Sequence, residues 1–249
     1  MRMNIFRAAA KGELARVESL LASKPETVEA QGAKGRTPLF LAAESGHKNV
    51  VHLLISNGAN VNAQDAKGDT PLHYAVRGKH INVVHELLEN EANINAVNNS
   101  GEIPLHNAVW EGHKGMVEFL LAKGMNSSAE NKDGVTPLPH ALEYLCSSLH
   151  YVEGRRYRDI VKLILAYGAD PCVKDEDGIS PLHMAAEEGL RSIVELMLTN
   201  GADPCVENED GETPLDIALT WNHTWTARVI RTKIKNYRTK IEKDQLQLF

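Results

Sequence analysis

The apolar positions of this chain fall into short blocks at helical spacing, two blocks to a unit, with glycine and histidine between them. In one such unit Leu41, Ala42 and Ala43 are followed by Gly46-His47, then by Val50, Val51, Leu53 and Leu54, and then by Gly58. The first block predicts a helix capped by the Thr37 hydroxyl, with Pro38 at the first helical position, where its missing N–H costs nothing. Its small residues let neighbouring helices approach. The second block predicts another helix, which Gly58 stops in a left-handed C-terminal cap. Residues 61–69, with Lys67-Gly68 among them, read as an extended hairpin leading to the next helix pair. Such a unit is apolar on both flanks and cannot bury that surface alone, so only a stack of units is stable.

The unit recurs. Thr37-Pro38-Leu39-Phe40 returns as Thr70-Pro71-Leu72-His73, Ile103-Pro104-Leu105-His106, Thr136-Pro137-Leu138-Pro139, Ser180-Pro181-Leu182-His183 and Thr213-Pro214-Leu215-Asp216, at intervals of 33, 33, 33, 44 and 33 residues. A second marker keeps the same interval: Gly58-Ala59-Asn60, Glu91-Ala92-Asn93, Gly124-Met125-Asn126, Gly168-Ala169-Asp170 and Gly201-Ala202-Asp203. This period and the Thr-Pro-Leu-His phrase resemble the ankyrin repeat. The resemblance covers nearly the whole chain and implies an all-α repeat solenoid of about seven helix-turn-helix units with β-hairpin loops, in one domain. Residues 1–35 are a degenerate capping repeat, 36–212 five full repeats, and 213–249 a C-terminal capping repeat.

The ends and one interior unit depart from the template. Asn4, Phe6, Ala9 and Ala10 fall 33 residues before Thr37, Leu39, Ala42 and Ala43, while Lys11, Glu13, Arg16 and Glu18 make the remaining surface polar, as a cap requires. Eleven extra residues enter the fourth full repeat somewhere within 144–158, about three helical turns, so they either lengthen the helix pair or project as a loop. In the last unit Ile234 replaces the glycine stop. Ile230, Ile234, Tyr237 and Ile241 then recur at helical spacing among Arg231, Lys233, Lys235, Arg238 and Lys240, which predicts one long basic amphipathic helix to about Lys243.

Composition adds compartment and charge. The chain is 43% apolar and 24% charged, ordinary for a soluble protein, and no apolar run approaches the roughly 18 residues a membrane span needs. The start, Met1-Arg2-Met3-Asn4, lacks the apolar block of a secretory signal, so a cytoplasmic protein is expected, with the nucleus or a host cell's cytosol as alternatives that depend on the source. Cys172 and Cys205 sit one repeat apart in the same phrase and should stack roughly 8–10 Å apart, beyond the roughly 7 Å limit for a disulfide; with Cys146 they form an odd set that suits a reducing compartment. The net charge of −6 is unevenly spread: residues 170–212 hold twelve acids and two bases, whereas 228–243 hold seven bases and one acid.

Candidate chemistry is sparse. The histidines at 73, 106 and 183, and those at 47, 80, 113 and 223, are strung along the repeats instead of converging, which points to structural use over metal binding; the resemblance implies bonds between neighbouring repeats for the first set. Cys146 and His150, with His140 nearby, lack a fourth zinc ligand. Asp175-Glu176-Asp177-Gly178 lacks the alternating ligands of a calcium loop and reads as a hairpin tip. With no phosphate loop or nucleophile motif, no enzyme, no cofactor, no metal and no small-molecule substrate are expected.

Binding is the remaining class. The resemblance implies a concave face built from hairpin tips and the exposed sides of the first helices. Transferred position by position it holds Arg36, Lys67, Asp69, Arg77, Trp110, Glu111, Tyr144, Glu176, Asp177, Glu187, Glu188, Glu209, Asp210, Glu212 and Trp221. Tryptophan at solvent-facing positions suits a partner anchor, and acids on successive hairpins repel one another unless a cationic ligand offsets them. The expected function is non-catalytic protein binding by a monomer, as adaptor, inhibitor or scaffold, with a basic protein segment as partner. The plain alternative for the acidic strip is a solvated face that keeps the protein soluble. For the tail three readings stand: a cover for the open end of the stack, an anchor to anionic membrane or nucleic acid, or a segment folding back on the acidic block.

Overall fold

In the computed structural model residues 4–147 and 151–246 are described, with backbone alone for 151–153 and 237–246. Among the described residues there are fourteen α-helices, two short 3-10 turns and no strand. The chain divides into two compact units, Met1–Lys132 and Asp133–Phe249.

The first unit holds four helix pairs: α1 Ile5–Lys11 and α2 Leu14–Ser23, α3 Pro38–Glu44 and α4 Lys48–Ser56, α5 Pro71–Arg77 and α6 Ile81–Glu89, α7 Pro104–Trp110 and α8 Lys114–Ala122. First helices pack on first helices in chain order, α1 on α3, α3 on α5 and α5 on α7, and second helices follow, α2 on α4 and α4 on α6. The close approach depends on residues with little side chain, and Ala42, Ala43, Ala75 and Ala108 are fully buried. Leu39, Phe40, Leu54, Leu72, Leu87, Leu105 and Leu120 fill the space between the helices. The second unit holds α9 Pro137–Ser147 and α10 Tyr151–Ala166, α11 Pro181–Glu187 and α12 Arg191–Thr199, and α13 Pro214–Thr220 with α14 Thr224–Leu246. There α9 packs on α11 and α11 on α13, while α10 packs on α12 and α12 on α14.

The Thr-Pro-Leu-His phrase works through its histidine. The Thr70 backbone N–H donates to His73 Nδ1 at 3.1 Å, with the Thr70 hydroxyl 2.9 Å from the same atom, and His73 Nε2 reaches the Glu102 carbonyl of the next repeat at 3.2 Å. The Ser180 N–H and hydroxyl meet His183 Nδ1 in the same way, and His183 Nε2 reaches the Glu212 carbonyl at 3.1 Å. Thr37 corrects the simple capping expectation: phenylalanine stands three residues on, and the buried Thr37 hydroxyl has no hydrogen-bond partner. The turn histidines are structural as well. His47, His80 and His223 each bond a carbonyl of the preceding repeat, those of Ala10, Glu44 and Glu187, at 3.1, 3.0 and 2.8 Å.

The expected hairpins are tight reversals. Asp65 N–H donates to the Asp69 carbonyl at 3.0 Å, and Asp65 Oδ1 accepts from the N–H groups of Lys67 and Asp69. Single backbone bonds join successive tips, Ala66 N–H to the Lys34 carbonyl at 2.8 Å and Asn99 N–H to the Lys67 carbonyl at 2.9 Å. One bond per tip is too little to form a strand ladder. Asp175 repeats the Asp65 arrangement by accepting from the N–H groups of Asp177 and Ile179, which makes 175–178 a hairpin tip.

The insertion lengthens helices. Helix α9 has 11 residues where other first helices have 7, and α10 has 16 where most second helices have 9, so the two extensions absorb all eleven residues. A column of rings ties the longer pair together, His140 on Tyr144 at 5.4 Å and Tyr144 on Tyr157 at 5.1 Å. The final helix runs on past Ile234 to Leu246, as the missing glycine stop predicts. Ala227 and Ile230 are buried, whereas the side chains of Tyr237 and Ile241 lie outside the described residues.

Candidate functional site

Loop tips and the C-terminal ends of first helices carry the residues singled out for binding. In the first unit Arg36 and Arg77 flank the Tyr74 ring, with guanidinium carbons 5.3 and 4.7 Å from its centroid. Phe40 meets the same ring edge-on at 5.6 Å, and the Tyr74 hydroxyl donates to Asp65 Oδ2 at 2.7 Å. Burial, then the bond to Asp65, pushes the Tyr74 phenol up to about 12. Each arginine also has a carboxylate, Glu44 for Arg36 at 2.8 Å and Asp69 for Arg77. Asp69, expected on the open face, is 1% exposed; its second oxygen accepts from Asn98 at 2.9 Å, so it serves as counter-ion and not as a free acceptor. Lys67 is exposed at its tip, Glu111 is half-buried after α7, and Trp110 at the end of α7 is 55% exposed.

The second unit is acidic. It carries 19 acids and 13 bases, the whole net charge of the chain, while the first unit balances 14 against 14. Glu176, Asp177, Glu209, Asp210 and Glu212 are exposed on the loops, Glu187 ends α11, Glu188 follows it, and Trp221 follows α13 with 58% of its surface exposed. Tyr144 is half-buried in the ring column and presents little of its surface as a contact.

Cys146, Cys172 and Cys205 are free thiols. Burial, with Glu188, Glu187 and Glu143 adding to it, pushes the Cys146 thiol up to about 12, which keeps it protonated. His150, the second residue of the Cys146 pair, lies outside the described residues. No group of three or more His, Cys, Asp or Glu side chains is placed to hold a metal ion among the described residues. Nor is any helix among them long and apolar enough to cross a membrane.

Two features escape sequence reading. Tyr74 occupies the variable position after the phrase, and nothing in its spacing announces two arginines around it. Trp225, 63% exposed at the start of α14, has the guanidiniums of Arg191 and Arg228 within 6 Å of its ring; Arg228 is one turn along the same helix, whereas only the packing of α14 on α12 brings Arg191 to it.

Comparison with known proteins agrees with this architecture. Models of ankyrin repeats match residues 5–98 and 149–241, and a further one matches 78–121. The chain belongs to the ankyrin repeat family. Similar solved structures include the ankyrin repeat domain of Bcl-3, described as a unique member of the IkappaB protein family, at 28% identity and TM-score 0.78, covering 92% of this chain and 98% of that one. An ankyrin repeat domain from Acinetobacter baumannii AYE has 31% identity and TM-score 0.71, covering 80% and 98%. The human ASB11 ankyrin repeat domain has 28% identity and TM-score 0.71, covering 93% and 98%. No curated protein sequence matches the chain significantly. Ankyrin repeat domains are generally non-enzymatic protein–protein interaction modules.

Proposed function

We propose that this protein is a non-catalytic adaptor, inhibitor or scaffold, and that the exposed loop tips and first-helix ends bind a basic segment of a partner protein. The observation that carries this reading is Trp221, largely exposed in the same unit as the exposed acids Glu187, Glu188, Glu209, Asp210 and Glu212. Acids of one sign steer a cationic segment in, and a large aromatic anchors it once water is excluded. Taken by itself, the first unit offers an exposed aromatic of its own in Trp110, with Glu111 beside it, and Arg36, Lys67 and Arg77 give its loop tips and first-helix ends a mixed charge. The three free thiols favour a reducing compartment, so the proposed location is the cytosol; the state we propose is a monomer. Burial of Ala227 and Ile230 supports a covering role for the first turns of α14, ahead of anchorage to membrane or nucleic acid.

The test is capture from a reducing cell lysate by the wild-type chain and by a variant carrying Trp110→Ala, Trp221→Ala, Glu187→Lys and Glu188→Lys, with equal circular dichroism spectra as the folding control. A protein retained by the wild type and lost by the variant is the outcome expected. Identical retention by both chains would remove the proposed face from consideration.

A further inference from the structure

A second surface, of opposite charge, lies in the same unit as the acids. Helices α12 and α14 pack side by side and leave between them a groove of about 500 Å³ whose lining includes Arg191, Leu198, Trp225, Arg228, Val229 and Lys233. The apolar part of its floor is Leu198, buried, and Val229, half-buried, with the polar side chains of Thr199, Thr232 and Asn236 beside them. At its mouth stands the Trp225 ring, 63% exposed, with Arg191 and Arg228 at 5.9 and 5.8 Å from its centroid. Among the lining residues three cations face one acid, Glu195, which pairs with Arg191 at 2.8 Å across one turn of α12. That pair is solvent-exposed on both sides and therefore weak, so it yields readily to a competing carboxylate. Arg228 is exposed, and Arg231 and Lys235 continue the positive charge along α14.

We propose that this groove binds an acidic segment of a partner protein, one that carries an apolar side chain among its carboxylates. The apolar floor and the exposed indole take the apolar side chain, and Arg228 and Lys233 take the carboxylates; a guanidinium receives a carboxylate in a two-pronged hydrogen bond. The chemistry disfavours a nucleic acid. The cations extend along α14, but the unit as a whole carries a surplus of six acids, which repels a polyanion, and the exposed indole beside Leu198 and Val229 offers an apolar contact that a phosphate backbone does not use. This site stands independently of the acidic loop face, with which it shares no residue.

Fluorescence anisotropy tests the proposal with a fluorescein-labelled peptide of glutamates and aspartates around a single leucine. The same peptide with serine for leucine, a single-stranded oligothymidylate and phosphatidylserine vesicles serve as comparisons. The leucine peptide should bind more tightly than the serine peptide, Trp225→Ala should weaken it roughly thirtyfold as an aromatic anchor does, and Arg228→Glu should weaken it at least tenfold. Glu187→Lys with Glu188→Lys should leave it unchanged, which separates this site from the acidic face. Both groove residues are exposed, so the variants should melt with the wild type; if Trp225→Ala does not, Arg228→Glu decides alone. The proposal is overturned by affinity indifferent to both substitutions, or by tighter binding of oligothymidylate or vesicles through the same residues. It is overturned too by self-association that Arg228→Glu abolishes, since the occupant is then a second copy of this chain.

Discussion

A single imidazole joins each complete Thr-Pro-Leu-His phrase to the repeat that follows. His73 and His183 accept at Nδ1 and donate from Nε2, an arrangement only the neutral ring can make. Burial lowers the pKa of both rings despite the carbonyl bonds that oppose it. Protons therefore bind the unfolded chain first, and stability is full above the unfolded pKa of about 6.5 and falls as pH drops below it toward the folded values. Urea midpoints measured across that range should decline on acidification, and the decline should shrink in a His73→Gln, His183→Gln chain. At 213–216 aspartate stands in place of histidine, and Asp216 Oδ2 accepts from the Thr213 N–H and hydroxyl. At the turn before α12, Gly189 has φ of 62° and an added Cβ would lie 2.5 Å from His223 Nδ1. Gly189→Ala should thus cost more than about 1 kcal/mol by denaturant unfolding, since backbone and space both oppose it. Iodoacetamide should label Cys172 and Cys205 well before Cys146 at neutral pH, because burial and nearby carboxylates keep the Cys146 thiol protonated.

Helices of unequal length set the element scale. The eleven inserted residues extend α9 and α10 in step, and the ring column of His140, Tyr144 and Tyr157 bridges the pair. Tyr144→Ala removes both ring contacts and should destabilise the chain by roughly 1–3 kcal/mol, read from the urea midpoint, as two aromatic pairs would. Helix α14 depends on burial in its early turns. Ile230→Ala, at a fully buried position, should cost about 2–5 kcal/mol in the same measurement, whereas Arg231→Ala, exposed one residue later, should stay within about 0.5 kcal/mol.

For the whole molecule, charge is the property that varies most along the chain. One unit is neutral and the other carries six excess acids, although bases concentrate in its final helix. A basic partner on the acidic loops should therefore associate more slowly as salt rises, with a smaller change in dissociation rate, and stopped-flow mixing resolves the two. The acidic peptide on the α12–α14 groove should show the same sign of salt dependence while competing with none of that binding.

Much of this was written in the chain. The 33-residue period, the phrase and the glycine stops fixed the helix pairs, because caps, turns and apolar spacing are local properties that each repeat must satisfy for itself. The missing stop at Ile234 announced a continuous final helix for the same reason. Which charges stay free was decided by packing. Asp69 and Lys67 are two residues apart in one loop, yet one is buried as the partner of Arg77 and the other is exposed, since only the approach of α5 and the next loop creates the pocket that takes the carboxylate. Trp225 and Arg191 are 34 residues apart and meet only because α14 lies against α12. Local sequence determines the elements; contacts between residues distant along the chain exist only once those elements are stacked, and they decide which side chains a partner can reach.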